Sequence, residues 1–181
     1  MEVKLTKELK RQLFNDYKTY IYRTALLLTH SKPLADDVVQ ETFIRVFNKY
    51  HTYNNEKPIK PWIYKITINV VRNILRKQKW LSYVGQMPEE KNFESPEDKY
   101  YENEVKSELR KEINKLSLKS REVIILHFYN QFTLKEVSDI LDIPLGTCKS
   151  RLNTGLKGLR KQLNGNDLFQ TYMRSDSIET I

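Results

Sequence analysis

The sequence predicts an all-α protein: two small helical domains joined by a flexible acidic linker, the second domain ending in a helix-turn-helix. Three observations carry this. Apolar residues recur at three- and four-residue spacing through most of the chain, with no alternating strand pattern. Only 5 glycines interrupt the 181 residues. Charge also falls in blocks, +9 over residues 1–81, −5 over 82–105, +6 over 106–164 and −2 over 165–181. A mass of 21.7 kDa accommodates one ordinary domain or two small ones. Two basic bodies flanking an acidic joint suit a polyanionic partner, because each lysine or arginine that neutralises a phosphate releases a counterion. The acidic joint discourages the two basic blocks from collapsing together.

In the block 1–81, the segment PLADDVVQETFIRVFNKY (33–50) reads as a helix. Ser31 can cap it, Pro33 suits its first turn, and Asp36 and Asp37 favour the positive end of its dipole. Leu34, Val38, Phe43, Val46, Phe47 and Tyr50 form a core-facing stripe, leaving Asp37, Gln40, Glu41, Arg45 and Asn48 outside. Taken alone, that outer face is what any solvated helix shows. Next, KPWIYKITINVVRNILRKQKW (60–80) sets Ile63, Ile66, Val70 and Ile74 on one stripe and Lys65, Asn69, Arg72, Asn73 and Arg76 on another. With Lys77 and Lys79 behind it, this second row can follow a phosphate backbone while Asn69 or Asn73 meets a base edge. Trp62, Tyr64 and Trp80 lie beside the row and offer flat faces to unpaired bases, although Trp62 is read as core.

The stretch from Ser82 to Asn103 gathers prolines, a glycine and acidic residues without an apolar stripe, as a linker does. In the block 106–164, His127 sits in the apolar run VIILHFY and is read as structural. Phe132 to Leu163 then gives helix, turn, helix. Thr133 and Glu136 form a capping box, and Leu134, Val137, Ile140 and Leu141 make a buried stripe. Pro144 has no amide proton for a continuing helix and pushes Ile143 toward extended backbone. In the second helix Cys148, Leu152, Leu156, Leu159 and Leu163 point inward. Lys149, Ser150, Arg151, Asn153, Thr154, Lys157, Arg160 and Lys161 are left for solvent or DNA. A soluble helix pair would also show a charged face, but the capping box, the proline turn and the basic second helix together favour insertion into a major groove. The tail 165–181 opens with the helix-stopping Gly165 and is expected to be poorly ordered.

Other function classes find little support. With Cys148 alone, no internal disulfide can form, and a reducing cytoplasm is the matching compartment. The charged N-terminus lacks the apolar core of a signal peptide, and no run is long enough to span a bilayer, so the chain is expected not to be membrane-embedded. His30, His51 and His127 are far apart, and there is no metal spacing, Gly-rich phosphate loop or nucleophile motif. We therefore expect no catalytic residue, no metal, no cofactor and no small-molecule substrate.

Three segments in this order, covering about residues 10–163, resemble an extracytoplasmic-function sigma factor, the small two-domain subunit that directs bacterial RNA polymerase to promoters. ADDVVQETFIRVF is similar to the region two motif that docks on the coiled coil of the polymerase beta-prime subunit. It implies a contact set of Asp36, Asp37, Gln40, Glu41, Phe43, Ile44 and Arg45. PWIYKITINVVRNILR is similar to the part that opens and reads the minus-ten element, implying Lys65, Asn69, Arg72, Asn73, Arg76, Lys77 and Lys79. LSLKSREVIILHFYNQFTLKEVSDILDIPLGTCKSRL is similar to region four, which reads the minus-thirty-five element. There the set is Thr133, Lys135, Thr147, Lys149, Ser150, Arg151, Asn153, Thr154 and Lys157. Departures from the family pattern are Asn73 for a usual aspartate, Thr67 for an alanine, and Thr154 and Leu156 for frequent arginines. The last two imply weaker backbone binding than in a typical member. Gln131 stands where a turn glycine is common, and Asn130, tolerant of left-handed backbone, is expected to take over that turn.

The resemblance implies core RNA polymerase (beta-prime coiled coil and beta flap), promoter DNA and an anti-sigma factor as partners, with a role in a stress or envelope response. The alternative is a stand-alone helix-turn-helix regulator acting as a dimer on symmetric half-sites.

Overall fold

A computed structural model describes residues 5–84 and 111–162. Most of the expected linker, residues 106–110, Leu163 and the tail 165–181 lie outside the described residues.

Helix α1 (Lys7–Thr29) starts at Thr6, whose hydroxyl accepts from the Leu9 amide. It stops at His30, which takes a left-handed backbone (φ 58°) and returns its N–H to Leu26 O. The turn into α2 (Lys32–Lys49) is tight. Thr29 donates its hydroxyl to Ala25 O, and Ser31 accepts from the Leu34 amide with Pro33 in the first turn. Asp36 and Asp37 fall beyond that turn, so the dipole contribution expected of them is small. A 3₁₀ turn (Tyr50–Thr52) leads to α3 (Ile59–Tyr83). Helical hydrogen bonding carries α3 past residue 81, where the linker was expected to begin.

These three helices close around Ile21, Ala25, Leu28, Ala35, Val38, Val46, Ile63, Ile68, Val70 and Val71, all essentially inaccessible. Each buried valine, leucine or isoleucine among them contributes about 1.5–3 kcal/mol relative to exposure.

In the second half, a helical stretch at 111–115 precedes α4 (Leu118–Ile124), which is capped by Ser117. The helix widens into a π turn over Ile125–Tyr129, closed by Asn130 N–H to Ile125 O at 3.0 Å. Helices α5 (Leu134–Leu141) and α6 (Leu145–Gln162) form the helix-turn-helix. The capping box at Thr133 and Glu136 is complete in both directions. Val137, Ile140, Leu141, Cys148, Leu152 and Leu159 are buried, with Leu134 and Leu156 packed at the margin. Asp142 takes the left-handed bend (φ 57°), and Pro144 O accepts from Cys148 N–H as α6 begins. Gly155 lets α6 approach α4 closely, since a Cβ there would lie 2.6 Å from Ile124 Cδ1 and 3.3 Å from Ser120 Cβ.

The left-handed position at the turn before α5 is Gln131 (φ 58°), not Asn130 as expected. Asn130 stays right-handed (φ −92°) because its buried side chain is held from three directions. Its Oδ1 accepts from Tyr64 Oη at 2.8 Å and Thr24 Oγ1 at 3.1 Å, and its Nδ2 donates to Ile125 O. Tyr64 and Thr24 belong to the first half, and Asn130 to the second. The two halves therefore meet along a seam where α3 packs on α5 and α1 on α4.

Candidate functional site

Three surfaces gather the residues singled out from the sequence. On α2, Asp36, Asp37, Gln40 and Ile44 stand exposed on one face, Ile44 at 54%. Glu41 and Arg45, half-buried, bond to each other one turn apart at 2.6 Å. Phe43 departs from the expected contact set. At 3% exposure it lies between Phe14 and Phe47, with ring centroids 4.8 and 5.8 Å away, and supports this face from beneath.

On α3, Asn69, Asn73, Arg76, Lys77 and Lys79 are exposed and follow one side of the helix. Two members of the expected row are engaged elsewhere. Lys65 lies 3.7 Å from Asp142 across the seam, a solvent-exposed pair. Arg72 makes a two-pronged contact with Glu122 of α4, Nε to Oε1 and Nη2 to Oε2, each 2.7 Å. The Glu122 side chain is 2% exposed. These hydrogen bonds push the Arg72 pKa above its ordinary value, against the opposing effect of burial. Arg72 is thus a seam residue in this arrangement, not a free donor, because a fork-shaped guanidinium facing a buried carboxylate makes both of its best bonds there. Trp62 packs half-buried on Tyr53 and edge-on to Tyr50, whereas Trp80 is 62% exposed.

On the helix-turn-helix, Lys149, Ser150, Asn153 and Lys157 occupy one exposed face of α6. Thr147 and Arg151 are half-buried, and Thr154, though exposed, gives its hydroxyl proton to Ser150 O at 3.0 Å. Thr133 uses its hydroxyl in the capping box, and Lys135 pairs with Asp139 on its own helix at 2.8 Å. Cys148 is buried, which pushes its thiol pKa up against the lowering charge of Arg151.

Sequence reasoning missed the residues that join the halves. Lys60 Nζ donates to Asn130 O at 2.9 Å and lies 4.7 Å over the Phe132 ring, which meets Tyr64 edge-on. Arg121 Nη1 donates to Leu28 O at 3.2 Å and contacts His30 Nε2, while its other nitrogens hold Ile113 O, Asn114 O and Leu116 O. Burial against this cation lowers the His30 pKa to about 4. His30 as a residue remains open to solvent, but its ring nitrogen is the part that faces Arg121. A signal was present in the sequence: Arg121 and Glu122 are charged residues leading an otherwise apolar run, and such residues are buried only when paired.

Two of the three surfaces, on α3 and α6, offer donors and positive charge to a polyanion, and the third, on α2, is an acidic, partly apolar helix face. Among the described residues no three His, Cys, Asp or Glu side chains gather as a metal site would need, and no helix is long and apolar enough to cross a membrane.

Residues 13–81 match the family model for Sigma-70 region 2, and residues 106–159 that for Sigma-70, region 4. The chain is 30% identical over 160 residues to the ECF RNA polymerase sigma factor SigW of Bacillus subtilis, covering 81% of this chain and 84% of that one. It is 31% identical over 163 residues to the RNA polymerase sigma factor SigV of the same organism, covering 90% and 96%. Among solved structures, the sigma factor RpoE in complex with the anti-sigma factor NepR from Bartonella quintana aligns with TM-score 0.75 at 23% identity, over 89% of this chain and 99% of that one. CnrH, solved with the cytosolic domain of CnrY, aligns with TM-score 0.66 at 19% identity, over 90% and 92%.

Proposed function

Because the chain belongs to the ECF RNA polymerase sigma factors, we propose that its three surfaces divide the work of promoter-specific initiation. Residues 1–81 dock on the polymerase core through the α2 face of Asp36, Asp37, Gln40, Glu41, Ile44 and Arg45. The α3 row of Asn69, Asn73, Arg76, Lys77 and Lys79 meets the minus-ten element. Residues 106–164 meet the minus-thirty-five element through Lys149, Ser150, Asn153 and Lys157, with Arg151 at the edge, while 82–105 sets the separation of the two. The catalytic step belongs to the polymerase, and this chain acts by binding.

One observation carries the reading: a single chain presents donor-rich helix faces on both halves, α6 on one and α3 on the other, alongside an acidic docking face. A lone helix-turn-helix regulator needs only one of these. Exposed Trp80, beside the α3 row, supports capture of an unpaired base, where stacking offsets the cost of unstacking the duplex. An anti-sigma factor is a further proposed partner. RpoE and CnrH, which share this fold, were solved with NepR and with the cytosolic domain of CnrY.

The test adds the protein to sigma-free core polymerase and genomic DNA of the source organism, then maps transcript starts. New starts sharing two upstream elements at fixed spacing support the reading. Tight binding to symmetric duplexes without new starts would replace it with the stand-alone regulator. Asp37→Lys with Glu41→Lys is expected to abolish co-purification with core polymerase without unfolding the chain, read as a retained cooperative melting transition. Retained co-purification would remove α2 from the docking role.

A further inference from the structure

We propose that the cleft between the two halves is a binding site for a nucleoside polyphosphate, its cations taking the phosphate chain and its apolar wall the base. The inference goes beyond the promoter-binding reading and does not depend on it.

The cleft measures about 580 Å³, within the range of small-molecule sites, with α3 on one side and α4, α5 and α6 on the other. Five cations and two carboxylates line it. Arg72 and Glu122 neutralise each other through their paired 2.7 Å bonds, and Asp142, its side chain 87% exposed, lies 3.7 Å from Lys65. That leaves Arg76, Lys79, Lys119 and Arg151, none of which has a hydrogen-bond acceptor or ion-pair partner for its side chain among the described residues. They come from α3, α4 and α6, so no single solvated helix face accounts for their meeting. Like charges around one recess repel each other, and their fields add in the space between them. An anion placed there is attracted by all four. A chain of phosphates, carrying charged oxygens along its length, matches cations spread over three helices better than a single carboxylate does.

The remaining lining is apolar: Leu75 of α3, Leu118 of α4, and Leu141 and Ile143 at the end of α5. Leu75, Leu118 and Ile143 are only half-buried, and a flat ring laid on them takes apolar area out of water. Ring and phosphate chain together describe a nucleotide. The site is also separable from the surfaces assigned to DNA. Asn69 and Asn73 of the α3 row do not line the cleft, whereas Lys119, outside every such surface, does.

The experiment titrates the full chain calorimetrically with ATP and, separately, with inorganic tripolyphosphate, both with magnesium present. ATP is expected to bind at one site per chain and more tightly than tripolyphosphate, because only ATP carries the ring. Lys119→Ala is expected to weaken ATP binding about fivefold, the loss of one exposed hydrogen-bonded contact. Arg11→Ala, an equal loss of charge on α1 outside the cleft, is expected to leave it unchanged. Photolabelling of the unaltered chain with an azido-ATP, followed by peptide mapping, is expected to mark residues 72–79 or 118–143, a result independent of how any variant folds. Equal weakening by Lys119→Ala and Arg11→Ala, or label spread along the whole chain, would reduce the binding to the general attraction of a chain of net charge +8 for anions and overturn the proposal. Tripolyphosphate binding as tightly as ATP would overturn the nucleotide assignment in favour of an inorganic phosphate chain. Absence of both heat and label would overturn the site itself.

Discussion

Gln131 holds a left-handed backbone with an exposed side chain, a conformation that disfavours any residue with a Cβ by about 1–2 kcal/mol. His30 and Asp142 share the strain, but each contacts the opposite half, His30 at Arg121 and Asp142 at Lys65. Replacing Gln131 with glycine is therefore expected to stabilise the protein by up to about 1 kcal/mol, after the larger entropy of an unfolded glycine is subtracted. Urea denaturation would show this as a higher midpoint, and a lower one would mean that the Gln131 side chain contributes a contact of its own. The position was visible in the sequence as a departure from a common glycine. Which neighbour would bend was not visible, because Asn130 is held right-handed by Tyr64 and Thr24, residues 66 and 106 positions away.

At the scale of elements, most boundaries could be read locally, since caps and stops act within four residues. Ser31, Pro33, the Thr133–Glu136 box and the Asp142–Pro144 break all fall where they were expected. Thr133→Ala removes one acceptor for an otherwise unpaired amide and is expected to cost about 1 kcal/mol, read as a lower melting temperature. Because α5 is only 8 residues long, that loss bears on the helix-turn-helix as a unit. No change on substitution would show that packing of Val137, Ile140 and Leu141 alone fixes the start of α5. The π turn at 125–129 escaped sequence reading. After the charged Arg121 and Glu122, the run VIIL (123–126) is apolar on every side, so its periodicity gives no hint that the helix widens there. That widening nevertheless ends the helix at Asn130, the residue on which the seam converges.

At the scale of the whole molecule, the three exposed polar faces were legible as surfaces because each is centred on a stripe of one helix. The seam was not, because every bond in it joins residues far apart in sequence; Arg72 and Glu122 are 50 positions apart. The seam also sets a pH dependence. The folded protein holds His30 at a pKa of about 4 against 6.5 for the free side chain, so the unfolded chain takes up the proton first. The His30 contribution to stability is complete above about pH 6.5 and is lost as pH falls toward 4. Replacing His30 with asparagine, which tolerates the left-handed backbone, is expected to flatten the fall in denaturation midpoint across that window. An unchanged slope would assign the acid sensitivity to carboxylates instead. The burial of Cys148 carries a different consequence. These 181 residues contain one thiol, enclosed by α5 and α6 and disfavoured as a thiolate. Thiol-directed oxidants thus find no ready thiolate in this chain, and any transcriptional answer that works through a cysteine switch has to be sensed on another molecule and relayed by contact.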